Sequence, residues 1–226
     1  MFGDVTSANI VGYSTQTTES GYDFMAITPT FVSIGNDKVF NLSQISHNFS
    51  KNDSIQIFDV AGDMAKCLTY KETYWQLEDY TEDPDDPEIT QVTDYEFPLG
   101  QSFWLSNKKS VDFTESGAVN KSKVVYELES GYDFVQAGNS RPTDLKLSEI
   151  EFSNLSKNDN LQIFDVAGDM LKCLTWKETY WQLEDYSEDP DDPEVSQVQD
   201  YTFKPGEHFW FSMKKAGTAT IPALTL

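Results

Sequence analysis

A 37-residue segment occurs twice in the chain, almost unchanged. Residues 52–88 read NDSIQIFDVAGDMAKCLTYKETYWQLEDYTEDPDDPE and residues 158–194 read NDNLQIFDVAGDMLKCLTWKETYWQLEDYSEDPDDPE, with five differences. The replacements are mild: Ser54/Asn160, Ile55/Leu161, Ala65/Leu171, Tyr70/Trp176 and Thr81/Ser187. Each copy is therefore expected to build the same unit in the same surroundings. Upstream, SGYDF at 20–24 recurs at 130–134, an offset of 110, whereas the long segment recurs after 106. The second copy is thus four residues shorter between these anchors, a change that belongs in a surface loop. Downstream, PLGQSFW at 98–104 matches KPGEHFW at 204–210. The short Gly-, Ser- and Asn-containing run from Thr114 to Ser122 reads as the junction, giving residues 1–114 as copy one with an N-terminal extended segment and 115–226 as copy two.

Within each copy, runs rich in Ile, Val, Phe, Tyr, Trp and Thr are punctuated by Gly, Pro, Asn and Asp every few residues. That spacing predicts an all-β fold: two tandem homologous antiparallel domains, each sandwich- or barrel-like. Ser54 to Asp59 alternates Ile55 and Ile57 against Gln56 and Phe58, and the turn that follows offers Gly62 for positive φ. Lys66 to Lys71 and Tyr74 to Tyr80 read as a hairpin, with Trp75 and Leu77 on one face. Ile89 to Phe97 reads as a further strand, and Phe103 to Ser106 closes the unit. Leu42 to Ile45 offers one helical turn at most.

The charge balance narrows the partners. With 16 basic against 38 acidic residues, and a formal charge of -22, nothing supplies the Lys and Arg that a phosphate backbone or an anionic membrane requires. No run approaches the ~18 apolar residues that span a bilayer. The opening Met1-Phe2-Gly3-Asp4 has neither the basic nor the apolar region of a signal peptide. Cys67 and Cys173, one per copy, lack metal-type spacing. They read most simply as half-buried strand residues, with a disulfide between copies or subunits left open.

The run SANIVGY at 7–13, then Gly21 to Phe24, the strand Asp53 to Ile57, the Tyr74-Trp75 pair and Gly100 with Phe103-Trp104 together resemble a repeated β-rich domain of secreted bacterial surface proteins. The resemblance spans both copies and implies an extracellular or cell-surface location, with no catalytic residue carried over. Copy two departs from it, having Val119 to Val125 (VNKSKVV) in place of the IVGY run.

The acidic loops are the sharpest chemical feature. Asp79, Glu82, Asp83, Asp85, Asp86 and Glu88 recur as Asp185, Glu188, Asp189, Asp191, Asp192 and Glu194. Calcium takes six to eight oxygen ligands, and prolines would lower the ordering cost of gathering them. EF-hand spacing is absent, however, so the plainer reading is a solvated, negatively charged hairpin tip. Calcium is the one cofactor the composition suggests, and none is required. Asp59 and Asp63, like Asp165 and Asp169, read as caps of their own turn.

Trp75 and Trp181 invite a ligand-stacking reading, with carbohydrate as the partner, although strand aromatics usually face the core. His47 and His208 are not equivalent between copies, and no Gly-x-Ser-x-Gly elbow, phosphate loop or zinc spacing occurs. A hydrolase is therefore not expected. The N-terminal segment, with apolar Ile10, Val11 and Tyr13, reads either as the first strand of copy one or as an assembly strand that pairs with a neighbouring subunit. These features point to a non-enzymatic structural subunit of a homopolymer, a fibre, pilus-like filament or surface layer joined through sheet edges. The alternative is a calcium-dependent carbohydrate- or surface-binding module.

Overall fold

A computed structural model describes residues 11–18, 24–59, 62–128, 134–165 and 169–224. The chain is almost entirely antiparallel β-structure, as its alternation of apolar and polar residues requires. The first half contains β1 (Val11–Thr17), β2 (Phe24–Ile27), β3 (Phe31–Val32), β4 (Val39–Asn41), β5 (Ile45–His47) and β6 (Ser54–Phe58). It continues with β7 (Met64–Tyr70), β8 (Trp75–Asp79), β9 (Glu88–Val92), β10 (Glu96–Pro98), β11 (Phe103–Ser106) and β12 (Asp112–Val119). The second half contains β13 (Val124–Leu128), β14 (Phe134–Gly138), β15 (Leu145–Lys146), β16 (Glu151–Phe152), β17 (Asn160–Phe164) and β18 (Met170–Trp176). It ends with β19 (Trp181–Asp185), β20 (Glu194–Val198), β21 (Thr202–Phe203), β22 (His208–Ser212) and β23 (Gly217–Ile221). Single 3-10 turns at Leu42–Gln44 and Leu147–Glu149 are the helical elements among the described residues.

The repeat is reproduced in the two long sheets, while β3 of the first half has no counterpart in the second. One six-stranded sheet runs β2-β11-β6-β7-β8-β9, and its counterpart runs β14-β22-β17-β18-β19-β20. A second layer crosses each: β12 carries β1, β3 and β5 in the first half, and β23 carries β13 and β16 in the second. Between the layers lie two apolar cores. Ile55, Leu68, Phe97, Phe103, Leu105 and Phe113 are fully buried in one; Leu161, Leu174, Phe203, Phe209 and Phe211 fill the other. Burial on this scale supplies the main stabilisation, at ~25 cal/mol per Å² of apolar surface removed from water.

Each six-stranded sheet has an inner face on its core and an outer face. Because side chains alternate, register fixes which residues share the outer row. Across the first sheet that row is Trp104, Gln56, Cys67, Glu78 and Ile89; across the second it is Trp210, Gln162, Cys173, Glu184 and Val195.

Two buried aspartates tie the layers together. Asp53 accepts hydrogen bonds from the backbone of Ser50 (2.7 Å) and Lys108 (3.1 Å), so it pins the β11–β12 connection to the loop before β6. Asp159 does the same with Ser156 and Lys214.

Two readings change against this frame. The division after residue 114 falls inside β12, which pairs with β1, β3 and β5 of the first half. The strand continues through Gly117, where the Gln44 side chain and the Val32 carbonyl leave no room for a Cβ. The short connection between the halves is 120–123. The run Ile89 to Phe97 divides into β9 and β10, because Asp94 turns away to accept bonds from the Ser43 backbone (2.8 Å) and hydroxyl (2.7 Å). The length difference lies between β2 and β4: the first half there has the buried strand β3 and the largely exposed turn 33–38, whereas the second half passes from β14 to β15 with no strand between.

Candidate interaction surface

The acidic loops begin where β8 ends. At that point Lys66 of β7 faces Asp79 of β8 across the ladder, and their side chains pair at 2.8 Å. The Lys66 ammonium and the Thr81 hydroxyl, which donates at 2.6 Å, hold the Asp79 carboxyl down to about 2. Lys172, Asp185 and Ser187 repeat the arrangement. Asp83 and Asp189 accept from the backbone of Asp85 and Asp191, closing their own turns. The remaining carboxylates, Glu82, Asp85, Asp86 and Glu88 with Glu188, Asp191, Asp192 and Glu194, are exposed. Among the described residues no three His, Cys, Asp or Glu side chains gather closely enough to hold a metal ion. Asp59 and Asp165 cap their turns as read, accepting from the backbone of Asp63 (2.9 Å) and Asp169 (2.8 Å).

Trp75 and Trp181 lie in the cores, 6% and 7% exposed, and present no free ring to a sugar. Each opens the strand after the β-turn that follows β7 or β18, and its inner-face position packs it on Tyr70 or Trp176 at 5.2 and 5.3 Å. His47 is half-buried at the edge of the first core, stacked on Phe49 at 4.3 Å and meeting Trp75 edge-on at 5.5 Å. Burial lowers its pKa. The thiols of Cys67 and Cys173 are free and buried, and desolvation raises both pKa values.

What the surface does offer is strand edge. Strand β1 pairs with β12 of its own chain over seven residues, from Val11 opposite Ala118 to Thr17 opposite Asp112. Its other edge has no partner strand among the described residues. The inward row of β1 is Gly12, Ser14 and Gln16, where the matching strand β13 buries Val124, Tyr126 and Leu128. Val11 and Tyr13 consequently point outward, 60% and 78% exposed. With Ile34, Gln44 and Ser116 they line an open groove of about 650 Å³. Ile10 lies outside the described residues.

Strands β9 and β20 form the outer edges of the two long sheets and are exposed on both faces except at Val92 and Val198. Ile89 and Val195, at equivalent positions, are 62% and 59% exposed. Sequence reasoning passed over both. The pattern is ITQV and VSQV: the two apolar residues of each run stand three apart and fall on opposite faces, so neither face is dominated by residues that demand a core.

The junction of the halves carries the buried chemistry. Trp104 and Trp210 meet edge to face, centroids 5.9 Å apart. The Trp210 indole N–H donates to Nε2 of His208 at 2.8 Å, and burial keeps this imidazole neutral, with its pKa pushed down to about 3. The Tyr126 hydroxyl donates to the Gly100 carbonyl at 3.1 Å, and burial raises its pKa. On the equivalent turn of the other half, Gly206 lies against Gln16, the counterpart of Tyr126. Glu115 is buried in β12, accepting from the Thr30 backbone (3.1 Å) and hydroxyl (2.7 Å), and desolvation pushes its pKa up to about 7. No sequence motif marks these contacts, since all but the His208–Trp210 bond join segments that are far apart along the chain. Compared with protein-family models, with curated proteins and with solved structures, this chain matches none.

Proposed function

We propose that this protein is a non-enzymatic structural subunit, exported from the cell, that assembles with copies of itself into a surface polymer through sheet edges and its N-terminal strand. The observation that carries this reading is a set of sheet-edge strands with outward apolar side chains: β1, β9 and β20 each pair on one side only among the described residues, and each carries an apolar side chain at least 59% exposed. Soluble monomers commonly blunt such edges with lysine, proline or a covering loop, because an open ladder of N–H and C=O groups recruits another strand. Here β1 contains no charge and no proline, and β9 and β20 contain no proline, no lysine and a single charge each, the glutamate that opens the strand. The charge of -22 keeps free chains apart until they are concentrated. Export is supported by the resemblance of both copies to a domain of secreted surface proteins.

Sedimentation velocity and negative-stain microscopy of the full chain over a wide concentration range test the reading. Elongated oligomers that grow with concentration are expected. A monomer at every concentration overturns it.

A further inference from the structure

The two long sheets end in edges of nearly the same sequence, EITQV in β9 and EVSQV in β20. One chain thus presents two copies of one joining surface, and a subunit with two equivalent joints builds a chain of subunits, whereas a subunit with one stops at a dimer. We infer that β9 and β20 are the growth joints of the polymer, each pairing antiparallel with β9 or β20 of a second copy. The inference rests on the self-assembly reading above and adds which edges join, in what direction and with what stoichiometry.

Three observations select this occupant and orientation. First, the edges are self-complementary. Centring the pair on Thr90 opposite Ser196 of the second copy sets Ile89 opposite Gln197 and Glu88 opposite Val198, so no like charges face each other and side chains on one face meet side chains on one face. Second, the acidic tips dictate direction. Asp83, Asp85 and Asp86 sit just before β9, and Asp189, Asp191 and Asp192 just before β20. Parallel pairing would bring two tips together. Antiparallel pairing places them at opposite ends of a five-residue strand, about 17 Å apart at ~3.4 Å per residue and well beyond the ~8 Å Debye length of physiological salt. Third, the outer rows continue: Ile89 ends the row Trp104-Gln56-Cys67-Glu78, and Val195 ends its counterpart, so a docked strand extends an existing sheet face. An edge of this length covers less than the ~1,000 Å² of a standard interface, so each joint is weak and growth is steep in concentration. Strand β1, on a different sheet, then contributes contacts between chains already formed.

Substituting Ile89→Lys and Val195→Lys, singly and together, tests the joints, because lysine on an open edge blocks pairing and both positions are exposed enough to leave the fold intact. Circular dichroism and thermal unfolding like wild type verify that the variants are folded. At a concentration where the wild type polymerises, each single variant is expected to stop at the mass of two chains and the double variant at one. Polymers of wild-type length from the double variant overturn the inference while leaving self-assembly standing. A wild type that never leaves the monomer removes both.

Discussion

Trp104 and Trp210 occupy equivalent positions in the two copies, and they pack against each other, edge to face at 5.9 Å and 69°. A residue meeting its own counterpart is the mark of a two-fold arrangement, as in an isologous dimer. Phe58 and Phe164 flank the pair symmetrically, at 5.8 and 5.5 Å from Trp104 and Trp210. The connection at 120–123 thus holds together two units that already fit one another.

Coupling across this pair is measurable. A double-mutant cycle of Trp104→Ala and Trp210→Ala in urea is expected to give an interaction energy of about 0.5–1.5 kcal/mol, the range for aromatic pairs beyond their buried area. Strict additivity would mean that the halves do not rely on the contact.

Glu115 makes stability depend on pH. Its carboxyl keeps a proton up to about pH 7 in the folded chain but loses it near the ordinary 4.5 when unfolded. The folded state therefore binds more protons between those values, and its stability falls as pH rises from about 4.5 to about 7, by an amount on the order of 3 kcal/mol. Burial keeps His208 neutral in the folded state, which acts oppositely, removing stability as pH falls below 6.5. Replacing Glu115→Gln is expected to remove the falling contribution and leave that of His208, so that stability rises more steeply with pH in the variant than in the wild type between pH 5 and 7, read by chemical denaturation at pH 5, 6, 7 and 8. A wild-type slope retained in the variant would assign the effect elsewhere.

Gly100 and Gly62 separate backbone strain from crowding. Both have positive φ, 83° and 86°, yet a Cβ on Gly62 meets open space whereas one on Gly100 runs into Val124 of the other half. Gly62→Ala is expected to cost about 1 kcal/mol, the penalty for an L-residue in that region. Gly100→Ala should cost at least 1–2 kcal/mol more, the scale of overpacking. Equal losses in thermal or urea unfolding would show that the junction gives way freely.

Much of the fold was legible where the chain repeats itself. Strict alternation in Ser54 to Phe58, with Gly62 supplying the left-handed turn residue, marked β6 and its copy β17, and the long identical segment forced equal sheets on both halves. The reading failed where a residue's environment comes from a distant segment. Strand β12 runs on through a stretch that looked like a linker because β1, β3 and β5 pair with it. Val11 and Tyr13 are apolar in sequence but face solvent, because the inward row of β1 is the polar one. The edges at Ile89 and Val195 went unread, since a strand exposed on both faces has no alternation to give it away.

The most direct test of assembly through edges is the response of the polymer to salt. Chains of charge -22 repel one another, and added salt screens that repulsion while leaving backbone pairing and apolar contact intact. Sedimentation of the full chain at a fixed concentration, from low salt to about 0.5 M, is expected to show larger assemblies at each step. Assemblies that dissolve as salt is added would mean that charge pairing holds them together, and would contradict the account.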